Sequence, residues 1–144
     1  MSDAQHAHAE AFGVRIPFVE HLGFQMVFFD QGQSEMRFEP KPEHLNSFEV
    51  AHGGAIMTLL DVSMATAARS VDKTSGVVTI EMKTSFIQPA RGPLVAKGRL
   101  MHRTRSMAFT ETTLFDAQGA LCAHATGTFK YVPRQPTRPN VSTD

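Results

Sequence analysis

One cysteine in 144 residues, Cys122, excludes an intrachain disulfide. A chain of this length forms one domain and buries about two thirds of its unfolded surface, so it needs neither a bridge nor a metal to fold. No apolar run reaches the roughly 20 residues that a bilayer crossing takes, so no membrane partner is expected. The start, Ser2-Asp3-Ala4-Gln5-His6, lacks the basic and apolar regions of a signal peptide, which points to a reducing cytoplasm. Fourteen lysines and arginines match fourteen aspartates and glutamates. There is therefore no global positive field of the kind that gathers nucleic acid. No Gly-x-Ser-x-Gly elbow is present, and serine-hydrolase chemistry has no support. His6, His8, His21, His44, His102 and His124 fall at no metal-ligand spacing, and neither a metal nor an organic cofactor is expected. Internal repeats are absent too.

What is present alternates. A short helical stretch, Ile16 to Leu22, is stopped by Gly23. Two short strands, Phe24 to Phe29 and Ser34 to Glu39, follow around Asp30-Gln31-Gly32-Gln33, and a loop runs from Pro40 to Ala51. An apolar helix is predicted from about Gly54 to Arg69. Beyond it lie four longer strands: Val77 to Gln88, Leu94 to Arg103, Met107 to Phe115 and Ala120 to Tyr131. In the first of these, Val78, Ile80, Met82 and Phe86 share one face, with Thr79, Glu81, Lys83 and Ser85 on the other. The breaks at Pro89–Pro93, Thr104–Ser106 and Asp116–Gly119 are short, so neighbouring strands are expected to pair antiparallel. A single helix with no polar side fits a sheet that wraps around it, and its uncovered flank calls for a second subunit. The domain is expected over 16–132, with an N-terminal arm at 1–15 and a flexible, proline-rich tail at 133–144.

Asp61 is the only carboxylate from Val50 to Ala68. Burying it ionised costs several kcal/mol unless it is paired or hydrogen-bonded, so it is either a satisfied structural group or a working one. At the start of the same helix stand His52-Gly53-Gly54. Glycines there let backbone approach a ligand, and free N–H groups at the positive end of the helix dipole favour an oxygen that gains charge. That describes an oxyanion site, with Asp61 as a base on water or as the nucleophile. Eight residues separate Gly53 from Asp61, about 12 Å of helix. Because both must lie within about 3 Å of the reacting atoms, one helix cannot supply both. Two helices packed antiparallel across a two-fold axis can.

The run Asn46-Ser47-Phe48-Glu49-Val50-Ala51-His52-Gly53-Gly54, with Asp61 eight residues after Gly53 and Thr79 beyond, resembles the signature of hotdog-fold acyl-CoA thioesterases. The phenylacetate-pathway branch is the most similar. The likeness spans about Phe18 to Val132 and implies an α+β hotdog fold, one long central helix wrapped by five or six antiparallel strands. It also implies a homodimer, or a dimer of dimers, that takes acyl-CoA with no cofactor. By the same resemblance, the Gly53 amide polarises the carbonyl and Asp61 of the facing subunit is base or nucleophile. Thr79 holds a hydroxyl near the carboxylate, Asn46 helps place the water, Gly54 borders the substrate, and His52 fixes the loop or meets the thioester. Glu49 and Val50 depart from the pattern, since many relatives carry a small residue there, often glycine. Medium-chain and aryl-acetyl thioesters are both compatible with an apolar tunnel.

Lys97, Arg99, His102, Arg103 and Arg105 form a local basic cluster with two readings. It is a solvated strand face, or Arg103, Arg105 and Ser106 meet the phosphates of coenzyme A at a turn. Two other functions compete with hydrolysis. A hotdog dehydratase or hydratase needs a histidine poised with a carboxylate, for which only His52 and Asp61 are candidates. A non-catalytic acyl-CoA binder needs no reacting group at all.

Overall fold

The computed structural model describes residues 2–134, apart from the side chains of residues 8 and 9. The elements run α1 (Asp3–Phe12), α2 (Pro17–Leu22), β1 (Gln25–Asp30), β2 (Gln33–Phe38), a 3₁₀ turn (Pro42–His44), α3 (Gly53–Arg69), β3 (Ser75–Phe86), β4 (Leu94–Arg103), β5 (Met107–Asp116) and β6 (Leu121–Pro133). The six strands make one antiparallel sheet wrapped around α3, the hotdog arrangement that the sequence implies. The order across it is β1-β2-β4-β5-β6-β3.

That order corrects one expectation. β3 and β4 are consecutive but do not pair: β3 lies at the edge against β6, and β4 sits between β2 and β5. The connection through Pro89, Gly92 and Pro93 carries the chain over the end of the sheet rather than turning a hairpin. A second correction concerns the faces of β3. Thr79 stands opposite Phe129 and Glu81 opposite Thr128, so Ile80 is an extra residue in a β-bulge. Phe129 is fully buried under α3. Partners across a ladder share a face, so Val77 and Thr79 before the bulge, and Met82 and Phe86 after it, point to the helix, while Val78 points away.

α3 is held by its apolar residues and by close backbone approach. Leu59, Leu60, Met64, Ala67 and Ala68 are fully buried, and each large side chain contributes on the order of 1.5–3 kcal/mol. The residues of α3 that are not buried are Gly53, Gly54 and Ala55 in its first turn and the stripe Met57, Thr58, Asp61 and Ala65 beyond it. Hydroxyls link the helix to the sheet: Ser34 Oγ donates to the Ser63 carbonyl (2.6 Å), and Ser63 and Thr112 share a hydrogen bond (2.7 Å). Gly98 on β4 makes that contact possible. A Cβ built there would meet Ser34 Oγ and the Ser63 carbonyl oxygen, both at 2.5 Å. Because one of the two is backbone, Gly98→Ala is expected to cost about 3 kcal/mol or more. Urea denaturation checks this, and a variant within about 0.5 kcal/mol of the parent would refute the close-packing account.

The N-terminal arm proves helical. Ser2 and Gln5 close a capping box on α1, and Phe12 at its end is fully buried. The Phe12 carbonyl accepts from Arg69 Nη2 (3.1 Å). At the other terminus, Pro133 is the last residue of β6, opposite Ser75, and the rest of the expected tail, 135–144, lies outside the described residues.

Candidate active site

His52 is the N-cap of α3. Its Nδ1 accepts the Gly54 N–H (2.8 Å) and its carbonyl takes the Ile56 N–H (3.1 Å). That geometry requires the ring proton on Nε2. Gly54, expected to border the substrate, has thus already given its amide to the cap. The Gly53 N–H has no partner among the described residues and stands at the positive end of a 17-residue helix.

The loop before it is tightly made. Asn46 Oδ1 accepts from the Phe48 and Val50 amides (2.9 and 3.3 Å), and Asn46 N–H donates to the Val50 carbonyl (2.9 Å). Glu49 sits at φ 58°, in the left-handed region that glycine enters at least cost. The departure noted at this position is therefore a side chain in a conformation made for glycine. Phe48, at the tip, is 79 % exposed. Together the loop, Gly53, Phe86 and Arg91 border a cleft of about 550 Å³ with mostly apolar walls. Among the described residues that line it, Arg91 alone is charged.

Asp61 lies two turns along, in the uncovered stripe. Thr79 Oγ1 donates to its Oδ1 at 2.6 Å. Burial pushes the Asp61 carboxyl above its ordinary range, and the Thr79 hydrogen bond pulls part of the way back. A carboxylate that is partly desolvated, held by one hydroxyl and, among the described residues, unpaired with any cation is a stronger base than a solvated one. The structure joins Asp61 to Thr79 and joins Asn46, His52 and Gly53 in one loop, but it does not bring the two groups together within the chain.

Arg103, Arg105 and Ser106 stand elsewhere. The Ser106 carbonyl accepts from Tyr131 N–H (2.8 Å), and Tyr131 Oη donates to the Ala68 carbonyl (2.8 Å), so this turn borders the C-terminal end of α3. The other members of the basic cluster are occupied. Arg99 is bonded to Glu111, which also meets His124 (3.3 Å); Lys97 faces Glu35 (4.0 Å); His102 stacks on Phe109. Arg91 was marked by no spacing or motif; its place in the cleft appears only once β3 crosses over the sheet end.

A sheet wrapped round one helix here leaves a bare amide at the helix start and a partly desolvated carboxylate further along the same helix, groups whose chemistry suits polarising a carbonyl and activating a nucleophile. Residues 48–123 match the model of the thioesterase superfamily, and the chain belongs to that family of thioester hydrolases. A candidate esterase of Saccharolobus solfataricus is 28 % identical over 130 residues, covering 90 % of this chain and 93 % of that protein. Among solved structures, conserved protein PA5202 from Pseudomonas aeruginosa aligns at 27 % identity with a TM-score of 0.80, over 85 % of this chain and 98 % of the other. The E. coli PaaI protein from the phenylacetic acid degradation operon shares the fold at 20 % identity, with a TM-score of 0.79 over 91 % and 95 % of the two chains. The protein smu.793 from Streptococcus mutans, solved bound to acetyl CoA, aligns at 26 % identity and a TM-score of 0.71, over 79 % and 92 %. No helix among the described residues is long and apolar enough to cross a membrane.

Proposed function

We propose that the protein hydrolyses an acyl-CoA thioester to the free acid and coenzyme A, at a site shared between two subunits. The observation that carries this is the pairing of an unpartnered Gly53 amide with a desolvated Asp61 on one exposed helix flank. The acetyl CoA held by smu.793 supports the carrier.

The geometry of the dimer follows from two contacts. Gly53 lies beside the Phe86 ring, where a built Cβ would stand 3.4 Å away, and Asp61 bonds Thr79. α3 and β3 therefore run side by side in opposite directions. A two-fold axis that sets Gly53 of one subunit against Asp61 of the other passes near Met57 on α3 and Met82 on β3, midway between the contacts. Met57 is 38 % exposed. Along the same face the outer edge of β3 has no strand partner among the described residues, and Val78, Ile80, Phe86 and Ile87 are exposed beside it. An open, apolar edge strand is a template for a second copy of itself. In that dimer the Gly53 amide polarises the thioester carbonyl. Asp61 of the facing subunit, oriented by Thr79, either takes a proton from the attacking water or adds to the carbonyl itself. On the first route the water oxygen bonds the carbonyl carbon, the C–S bond breaks and the proton taken by Asp61 passes to the departing sulfur. On the second the Asp61 oxygen bonds the carbon and coenzyme A leaves as the thiolate. A water then cleaves the mixed anhydride, releasing the acid, freeing Asp61 and supplying the proton to the sulfur. His52 and Asn46 hold the loop that presents the amide. The buried lone thiol of Cys122 is in keeping with a cytoplasmic setting.

Free-thiol release from a panel of acyl-CoAs, short aliphatic through phenylacetyl and hydroxyphenylacetyl, tests the activity and ranks the acyl groups. Bound acyl-CoA with no release from any member would leave a binder instead. Mixing tests the shared site. Subunits carrying Gly53→Pro and subunits carrying Asp61→Asn, each inactive alone, should regain about a quarter of the parent rate when exchanged one to one, because half the dimers are hybrids with one intact site of two. No recovery after verified exchange would confine the site to one chain.

A further inference from the structure

A second cavity, of about 550 Å³ and more enclosed than the Gly53 cleft, opens at the end of the sheet where β2 finishes and β4 begins. It shares no lining residue with the cleft. Its volume lies within the roughly 300–1,000 Å³ of sites that hold small organic ligands. Leu22, Phe38 and Leu94 supply apolar wall, and the charged residues among those lining it are Arg37, Glu39 and Lys41.

The walls are set by the fold itself. Gly23 closes α2 at φ 79°, and its N–H donates to the Val19 and Glu20 carbonyls (3.0 and 3.1 Å). Phe38 meets Phe24 edge-on, with ring centroids 4.8 Å apart, and lies 5.3 Å from the His44 ring. His44 Nδ1 in turn accepts the Lys41 N–H (3.0 Å), which fixes the backbone from which the Lys41 side chain starts. Arg37 stands in the ladder between Gln25 on β1 and Val95 on β4, both uncharged. A cavity formed in advance loses little to the ordering of its own walls on binding.

Neither cation has a carboxylate partner among the described residues. Glu35, two residues before Arg37 on the same strand face, is turned to Lys97 (4.0 Å). Asp116, opposite Leu94, accepts the Gln118 and Ala120 amides (2.9 Å each). Two cations against Glu39 leave the lining one positive charge in excess. That surplus balances a ligand with a single negative charge, whereas a phosphate dianion would keep one charge uncompensated. The apolar wall calls for a tail beside that charge.

We propose that this cavity is a second binding site, for a monocarboxylic acid with an apolar tail. The carboxylate sits between Arg37 and Lys41, and the tail lies along Leu22, Phe38 and Leu94. A guanidinium grips a carboxylate through paired hydrogen bonds, and an ammonium adds point charge. Acids of this class are what cleavage of an acyl thioester releases, so the source of the ligand, though not the site, rests on the thioesterase reading. β1 and β2 lie at the opposite edge of the sheet from β3, so a dimer formed through β3 leaves the cavity open.

The test follows amide resonances of the isotope-labelled, full-length protein during titration with octanoate. The Gly23 and Leu94 amides, which border this cavity and not the Gly53 cleft, should move and saturate. In a double variant, Arg37→Gln with Lys41→Gln, half-saturation should take about ten-fold more octanoate or higher, because a charge-assisted bond is lost at each position. Unchanged resonances elsewhere establish that this variant is folded. Lys130→Gln, on β6 opposite Val78, controls for generic loss of charge and should titrate as the parent does. Inorganic phosphate, an oxyanion without a tail, should bind about ten-fold more weakly than octanoate. No movement in the parent, equal affinity in the double variant, an equal loss in Lys130→Gln, or phosphate binding as tight as octanoate would overturn the proposal. Octanoate that enters the Gly53 cleft moves the Gly53 amide instead, in parent and double variant alike. The titration needs no turnover, so a parent that cleaves no thioester refutes the hydrolase reading and leaves the cavity to be decided by these same resonances.

Discussion

Gly53→Pro should fold normally and lose about 10²–10³-fold in kcat. Position 53 is the first residue of α3, where the N–H has no helical acceptor and proline is tolerated. His52 before it has φ −61° and ψ 138°, the extended conformation that a following proline demands. A Cβ at this place meets only the Phe86 ring, at 3.4 and 3.5 Å, which is ordinary contact. The substitution therefore removes one hydrogen-bond donor and little else. Gly53→Ala adds the same first carbon but keeps the N–H, so it should retain most of the activity. If both variants lose activity equally, crowding beside Phe86 explains the loss and the amide has no role. Circular dichroism and oligomer size establish that each variant is intact.

Asp61→Asn should lower kcat by about 10²-fold or more while the fold stays whole. The carboxylate acts only when ionised, whether on water or on the carbonyl, so activity falls as pH drops through its folded pKa. Burial raises that pKa, which places the acid limb of kcat/KM above where a solvated aspartate would put it. Thr79→Val removes the bond that favours the charged form, so the limb should move to still higher pH. A limb that stays in place would mean that another group sets it. Stability should respond oppositely. A carboxyl whose folded pKa lies above its unfolded one costs nothing below the unfolded pKa and its full penalty above the folded one. At neutral pH, Asp61→Asn should therefore unfold no more easily than the parent. A clear loss of stability would recast Asp61 as a structural group.

Much of this site was legible in the residues alone. The unbroken apolar run of α3 with a single carboxylate marked Asp61, and the glycine pair after His52 marked the helix start, because helix caps and buried charges are local matters. β3 was harder. Its alternation is real on either side of Ile80, but a bulge leaves no mark in a row of β-branched and polar residues, and the phase of the first half, Val78 against Thr79, was misassigned. The sheet order was illegible for a related reason: a proline-rich connection such as Pro89–Pro93 serves a hairpin or a crossover equally well, and only long-range packing chooses. α1 was missed because one residue, Phe12, anchors it. Glu49 shows the converse, a departure visible in sequence whose physical meaning, a positive φ, emerged only from the backbone.

The place of β3 at the sheet edge also has a bearing on how the enzyme comes into being. Among the described residues the strand that carries Thr79 pairs only with β6, with β4 and β5 lying between the two in sequence. A pairing between segments so distant in the chain forms late, because the intervening loop must close first. Until then Asp61 has no Thr79 hydroxyl beside it and β3 is not yet an edge of the sheet. A chain interrupted before β6 therefore lacks the Asp61–Thr79 pair, which arrives only with the finished sheet.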